Sequence, residues 1–162
     1  MRGRLLTNLL PGRLAVLILA CAVAPAFAQD AARVSSRDDV SAQLTVVTEV
    51  RAADGFRPDT QALGRSTLLG VLEDGSSVYL EVPLDAAREY HIEARCDSGC
   101  GNLDMRMLGP AFDPVAEDIA DNDQPKMDVT ASSGPHLLAV QMTSCAARIC
   151  YFGIVVLSRP AR

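Results

Sequence analysis

Tyr90-His-Ile-Glu-Ala-Arg-Cys96-Asp-Ser-Gly-Cys100-Gly-Asn-Leu-Asp-Met-Arg-Met107 is the stretch whose pattern decides the fold. Tyr90, Ile92 and Ala94 alternate with His91, Glu93 and Arg95, and Leu103, Met105 and Met107 alternate with Asp104 and Arg106. Successive side chains leave a strand on opposite faces, so a period of two marks a half-buried strand. Between the two runs stands Asp97-Ser98-Gly99. Aspartate and serine bond back to the local backbone, and glycine adopts the turn conformations that other residues resist. Two antiparallel strands joined by a tight turn follow, with His91 on the solvent side of the first.

The same rhythm extends in both directions. Thr67–Leu72 leads into the turn Glu73-Asp74-Gly75-Ser76, and Val78, Leu80 and Val82 then alternate with Tyr79 and Glu81. Downstream, Val115–Ala120 and Met127–Thr130 are shorter strand candidates. His136–Met142 and Cys150–Leu157 are more continuously apolar, as expected of central strands. About eight strands separated by turn signals predict an all-β fold, an antiparallel sandwich or barrel. The N-terminal side reads differently. Ser36 is a candidate cap with Asp39 three residues on, and Val40, Leu44, Val47 and Val50 recur at helical spacing before Gly55 and Pro58. The β-branched content of Leu44–Val50 favours a strand, but the spacing predicts a helix over about 36–53. One domain results: an N-terminal extension over 29–63 and a β-sandwich over 64–158.

Upstream of that helix lies an export signal. Arg2, Arg4 and Arg13 precede the apolar run Leu14–Val23, and Ala26-Phe27-Ala28 offers the small-x-small pattern of a signal-peptidase site. The run is too short to span a bilayer, which takes about 20 residues. Cleavage after Ala28 removes residues 1–28 and places the protein in the periplasm or outside the cell. Leu17-Ile-Leu-Ala-Cys21 is the alternative, a lipobox-like stretch that would anchor the chain through Cys21. The segment holds three of the 15 basic residues and none of the 20 acidic ones, so 12 basic against 20 acidic residues leave the remainder at a formal charge of −8. That excess argues against nucleic acid and anionic membranes as partners, since both reward basic patches.

Cys96, Cys100, Cys145 and Cys150 follow the signal. Their spacing would suit zinc in a reducing compartment, but in an oxidising one it reads as a disulfide framework. Four cysteines allow three connectivities. Each close pair straddles a short turn, and opposed residues near a hairpin end lie about 5.5 Å apart, within disulfide reach. We therefore expect Cys96–Cys100 and Cys145–Cys150.

Tyr90-His-Ile-Glu-Ala-Arg-Cys96-Asp97, Cys100-Gly-Asn102-Leu103-Asp104 and Asp121-Asn-Asp123-Gln-Pro125 together resemble the bacterial pre-peptidase C-terminal domain. That family has a Tyr-x-Val-x-Ala strand, a turn, an Asp-Leu-Asp-Leu strand and, later, a Gly-x-Tyr strand. The resemblance spans roughly residues 64–158 and implies a jelly-roll-like β-sandwich that serves as an accessory module beside secreted peptidases. It also implies a cysteine pair at the first turn and another near the C-terminus. Asn102, Met105, Gly109 and His136 stand where the family has Asp, Leu, Asp and Tyr.

Catalytic groupings do not assemble from the pattern. Asp97-Ser98-Gly99 resembles the surroundings of a serine-protease nucleophile, but a triad needs a base and an orienting acid as well. His91 and His136 fall in separate strand patterns. The acidic residues cluster more tightly. Counting strand directions from the first cysteine turn brings Asp121-Asn-Asp123 to the same end as Asp97 and as the Cys145–Cys150 turn. Loop carboxylates there would take calcium, a cation that binds six to eight oxygens, so Asp97, Asp121 and Asp123 are the candidate metal ligands. No other cofactor is implied. The expectation is a non-enzymatic exported binding or accessory module for a protein or carbohydrate at the cell exterior. A calcium-stabilised adhesion module and a hydrolase are the alternatives.

Overall fold

The computed structural model describes residues 27–130 and 132–162, with side chains from Arg37 onward. Its elements run α1 (Phe27–Ala52), β1 (Arg57–Pro58), α2 (Thr60–Leu63), β2 (Leu68–Glu73), β3 (Ser77–Leu84), β4 (Arg88–Cys96), β5 (Cys100–Leu108), β6 (Pro114–Asp118), β7 (Lys126–Thr130), β8 (Gly134–Cys145) and β9 (Ile149–Pro160). The strands form two sheets, and every pairing is antiparallel. In the first sheet β9 pairs with β1 and β2 along one side and with β4 along the other, and β7 closes the far edge against β4. The second sheet runs β3-β8-β5-β6. The fold is an all-β sandwich with an N-terminal helix, and the two continuously apolar runs are central strands, β8 and β9.

The inward-facing residues of the alternating runs fill the space between the sheets. Tyr90, Ile92 and Ala94 of β4 pack there with Leu103, Met105 and Met107 of β5, Leu138, Val140 and Met142 of β8, and Ile154 and Val156 of β9. A second apolar cluster lies outside the sandwich. Val40, Leu44 and Val47 of α1, with Phe56, cover Val155 and Leu157 on the outer face of β9. Both faces of β9 are thus buried, which explains its unbroken apolar sequence.

Gly153 lets the helix come this close. A Cβ built there would lie 2.6 Å from a Leu44 methyl, 2.7 Å from a Leu69 methyl and 2.8 Å from a Val40 methyl. All three are closer than real Cβ atoms come, so a side chain at 153 would force Leu44, Leu69 and Val40 to shift.

The helix departs from the expected bounds in two ways. Its backbone starts at Phe27, upstream of Ser36, so Ser36 lies inside the helix and does not cap it. Residues 29–35 contain no glycine or proline to end it. Val50 leaves the buried face: it is 61% exposed, while Val40 and Leu44 are fully buried. At about 100° per residue the stripe through positions 40, 44 and 47 returns at Arg51, and Val50 joins Val46 on the neighbouring face. The sandwich also reaches beyond 64–158, because β1 pairs with β9 and β9 continues to Pro160. Apart from Phe27 and Ala28, the signal segment lies outside the described residues.

Candidate functional site: the groove between the helix and the edge strand

The cysteine turns come first, because the candidate metal ligands sit among them. Cys96 is bonded to Cys100 and Cys145 to Cys150, with Cα separations of 5.9 and 6.0 Å, but neither turn is the hairpin end that was expected: β4 and β9 lie in the first sheet and β5 and β8 in the second, so each disulfide clips a crossing between sheets. Cys100 and Cys145 are register partners in β5 and β8, and the Ala146 N–H donates to Gly99 O at 2.7 Å, so the two turns touch. The acidic loop lies beside them. Leu103 N–H donates to Asn122 O at 2.9 Å, and Asn122 N–H donates to Asn102 Oδ1 at 3.2 Å. Asp97, Asp121 and Asp123 therefore share one end of the sandwich.

Sharing an end does not make them a cage. Asp97 is buried, and its two carboxylate oxygens accept from Gly99 N–H and Tyr151 N–H, each at 3.0 Å. Its carbonyl accepts from Cys100 N–H at 2.9 Å, closing the tight turn. Asp97 thus fastens the first cysteine turn to β9. Ser98 is an exposed turn residue. Among the described residues no three His, Cys, Asp or Glu side chains converge to hold a metal ion.

The second feature is one that alternation alone misassigned. His91 was expected on the solvent side of β4, and it does point to the outer face of the sheet. That face, however, lies beneath α1, and His91 is 1% exposed. Its Nδ1 is 2.7 Å from Asp128 Oδ1, and its Nε2 is 3.0 Å from Glu93 Oε2. Carboxylates only accept, so both bonds form together only when each ring nitrogen donates. The other Glu93 oxygen accepts from Arg95, and the Phe56 ring lies 6.0 Å from the imidazole. Burial pushes the Glu93 carboxyl pKa up, but the His91 hydrogen bond and the charges of Arg95, His91 and Arg51 outweigh it, and the net direction is down from 4.5. The polar stripe His91-Glu93-Arg95 is thus a satisfied network between helix and sheet. The signal that could have found it was the apolar helix upstream, which needed a sheet face to cover.

His136 is also buried, and its Nδ1 lies 3.0 Å from the Gly134 carbonyl. It packs in β8 far from the His91 network in sequence, and the two do not form a common site.

Between α1 and β7 the surface opens. One depression, of about 510 Å³, is lined by Val46, Val50, Arg51, Glu93, Arg95 and Lys126 among others. A second, of about 430 Å³, is lined by Arg51, Asp54, Phe56, Glu89, Asp128 and Arg159 among others. Both share Arg51 and both border β7, one at its Lys126 end and one at its Thr130 end. Val46 is 58% and Val50 61% exposed on its helical wall. Arg159 lies 4.4 Å from the centre of the Phe56 ring and is held by Glu89 at 2.7 Å, which fixes the far end.

No protein-family model matches the chain, and no curated protein matches it. Among solved structures it is similar to PliG of Aeromonas hydrophila, a periplasmic inhibitor of g-type lysozyme, at 17% identity and a TM-score of 0.43; the alignment covers 57% of this chain and 84% of that one.

Proposed function

We propose that this chain is an exported, non-catalytic binding module, a sandwich of the pre-peptidase C-terminal type that docks a protein or carbohydrate at the cell exterior. The observation that carries the reading is the groove between α1 and β7. It sets two neighbouring exposed valines, Val46 and Val50, beside Arg51, Arg95 and Lys126. Exposed apolar side chains grouped with polar rims are the usual composition of a docking surface. Two disulfides support the compartment, because such bonds persist outside the reducing cytosol. Two of the ionisable groups nearest a catalytic pattern are fully engaged, His91 by two carboxylates and Asp97 by two amides, while His136 is engaged through Nδ1 alone, by a backbone carbonyl.

Affinity capture from the periplasmic fraction tests the reading, with wild type and Val50→Asp run side by side. A partner retained by the wild type and lost by the variant is expected, with both proteins equally folded by circular dichroism. Identical retention by the two, or turnover of peptidase or glycosidase substrates by the purified protein, contradicts it.

A further inference from the structure

We infer that a second copy of this chain adds to the second sheet along the free edge of β3, joining two sandwiches in a two-fold dimer. The inference goes beyond the docking role and does not depend on it. β3 and β6 are the opposite edges of the second sheet, and β6 packs beside β7. Pairing through β3 therefore leaves the groove beside α1 open on each copy.

The backbone carries the first half of the case. Met142 N–H donates to Ser76 O at 2.9 Å, and Ser77 is the register partner of Gln141. Bonds in an antiparallel ladder alternate along the strand. Val78, Leu80 and Val82 thus direct their N–H and C=O groups at β8, while Ser77, Tyr79 and Glu81 direct theirs outward. Pro83 keeps the same frame, since its missing N–H would face outward too. No described strand pairs with this edge, and no described group bonds to the outward amides or carbonyls of Ser77, Tyr79 and Glu81. At the far end α2 comes against Pro83 and Leu84, which confines the open stretch to Ser77–Glu81. An edge strand with free groups is a template for another strand.

The side chains select the occupant, because Ser77-Val-Tyr-Leu-Glu81 is complementary to itself. An antiparallel pair centred on Tyr79 matches every outward N–H from Ser77 to Glu81 with a C=O. It sets Tyr79 against Tyr79, Ser77 against Glu81 and Val78 against Leu80 of the second copy, so no like charges meet. Tyr79 is 62% exposed, and two such rings across a two-fold axis bury each other. Val78 and Leu80 face the core between the sheets but are only partly buried, since the sheet ends at β3. Leu80 and Val78 of the second copy cover them. Centring the pair on Leu80 instead would set Ser77 against Pro83, which has no N–H to give and lies against α2. A foreign strand has no such match built in, and the open stretch carries no charge besides Glu81 to select one. The contact is isologous, so it closes at two copies and does not propagate.

The test is sedimentation equilibrium of the purified exported protein over a wide concentration range. A reversible dimer is expected. Tyr79→Pro removes the outward N–H at the centre of the pair without touching the β8 ladder, and Tyr79→Lys sets two like charges opposite each other. Each is expected to raise the dissociation constant by about tenfold or more while leaving the circular dichroism spectrum unchanged. An equimolar mixture of Tyr79→Lys and Tyr79→Glu is expected to recover the dimer, because the register centred on Tyr79 brings the two substituted side chains face to face. Val50→Asp is expected to leave dimerisation as it is, so the two surfaces stand or fail separately. Crosslinks from this edge should join two copies and capture no other protein. A protein that stays monomeric at millimolar concentration, a dimer indifferent to Tyr79→Pro and Tyr79→Lys, charge variants that remain monomeric when mixed, or a foreign chain captured from position 79 would each overturn the inference.

Discussion

Gly153 and Glu93 show how single residues set the contact between helix and sheet. Gly153→Ala forces a methyl into Leu44, Leu69 and Val40, and overpacking of this kind costs about 1–3 kcal/mol. Urea unfolding should read that loss, and limited proteolysis should cut α1 first. Glu93 makes a pH prediction. Its folded pKa lies below the unfolded value near 4.5, so its contribution is present above that value and lost as pH falls through the folded one. Glu93→Gln should therefore cost about 2 kcal/mol at pH 7, and the gap from wild type should narrow as pH drops from about 5 toward about 3. A gap that widens on acidification contradicts the ion network. These two residues also mark how far sequence reaches. Alternation assigned Ile92 and Ala94 to the core and His91 and Glu93 to the opposite face. It could not show that this face is covered, because burial by a distant helix leaves no trace in a period of two.

Among elements, α1 and the cysteine turns behave differently under perturbation. The helix was legible from Val40, Leu44 and Val47, whose spacing named its buried stripe; the placement of Val50 failed because that spacing drifts off the face within three turns. Leu44 is fully buried, and Leu44→Ala should cost about 2–5 kcal/mol, seen as a lower urea midpoint and greater exposure of the outer face of β9. The disulfides close very short loops, so removing either pair as a double alanine substitution should cost only about 2 kcal/mol and leave the strand signature in circular dichroism intact. Complete unfolding would show that these bonds hold the sandwich together and do more than clip its turns. The end shared by Asp97, Asp121 and Asp123 was legible from counting strand directions. The tying of Asp97 to Gly99 and Tyr151 was not, since it depends on β9 passing behind the turn.

At the level of the whole molecule, the depression beside α1 brings the exposed Val46 and Val50 together with Arg51, Glu93, Arg95 and Lys126. Exposed valines set among charged side chains have the composition of a docking surface. The sandwich itself could be read from turn spacing, whereas the groove could not, because it is made by Val46 and Val50 on one element and Lys126 on another, 76 positions beyond Val50 in the chain. Tyr79 offers a fair rival, since it is 62% exposed on β3, at the far edge of the other sheet. Photo-crosslinking in living cells compares the two directly, with a benzophenone side chain placed at Val50 in one version of the exported protein and at Tyr79 in another. A discrete crosslinked partner from position 50 and none from position 79 is expected, and equal yields from both positions, or a product from position 79 alone, would contradict the groove as the binding surface.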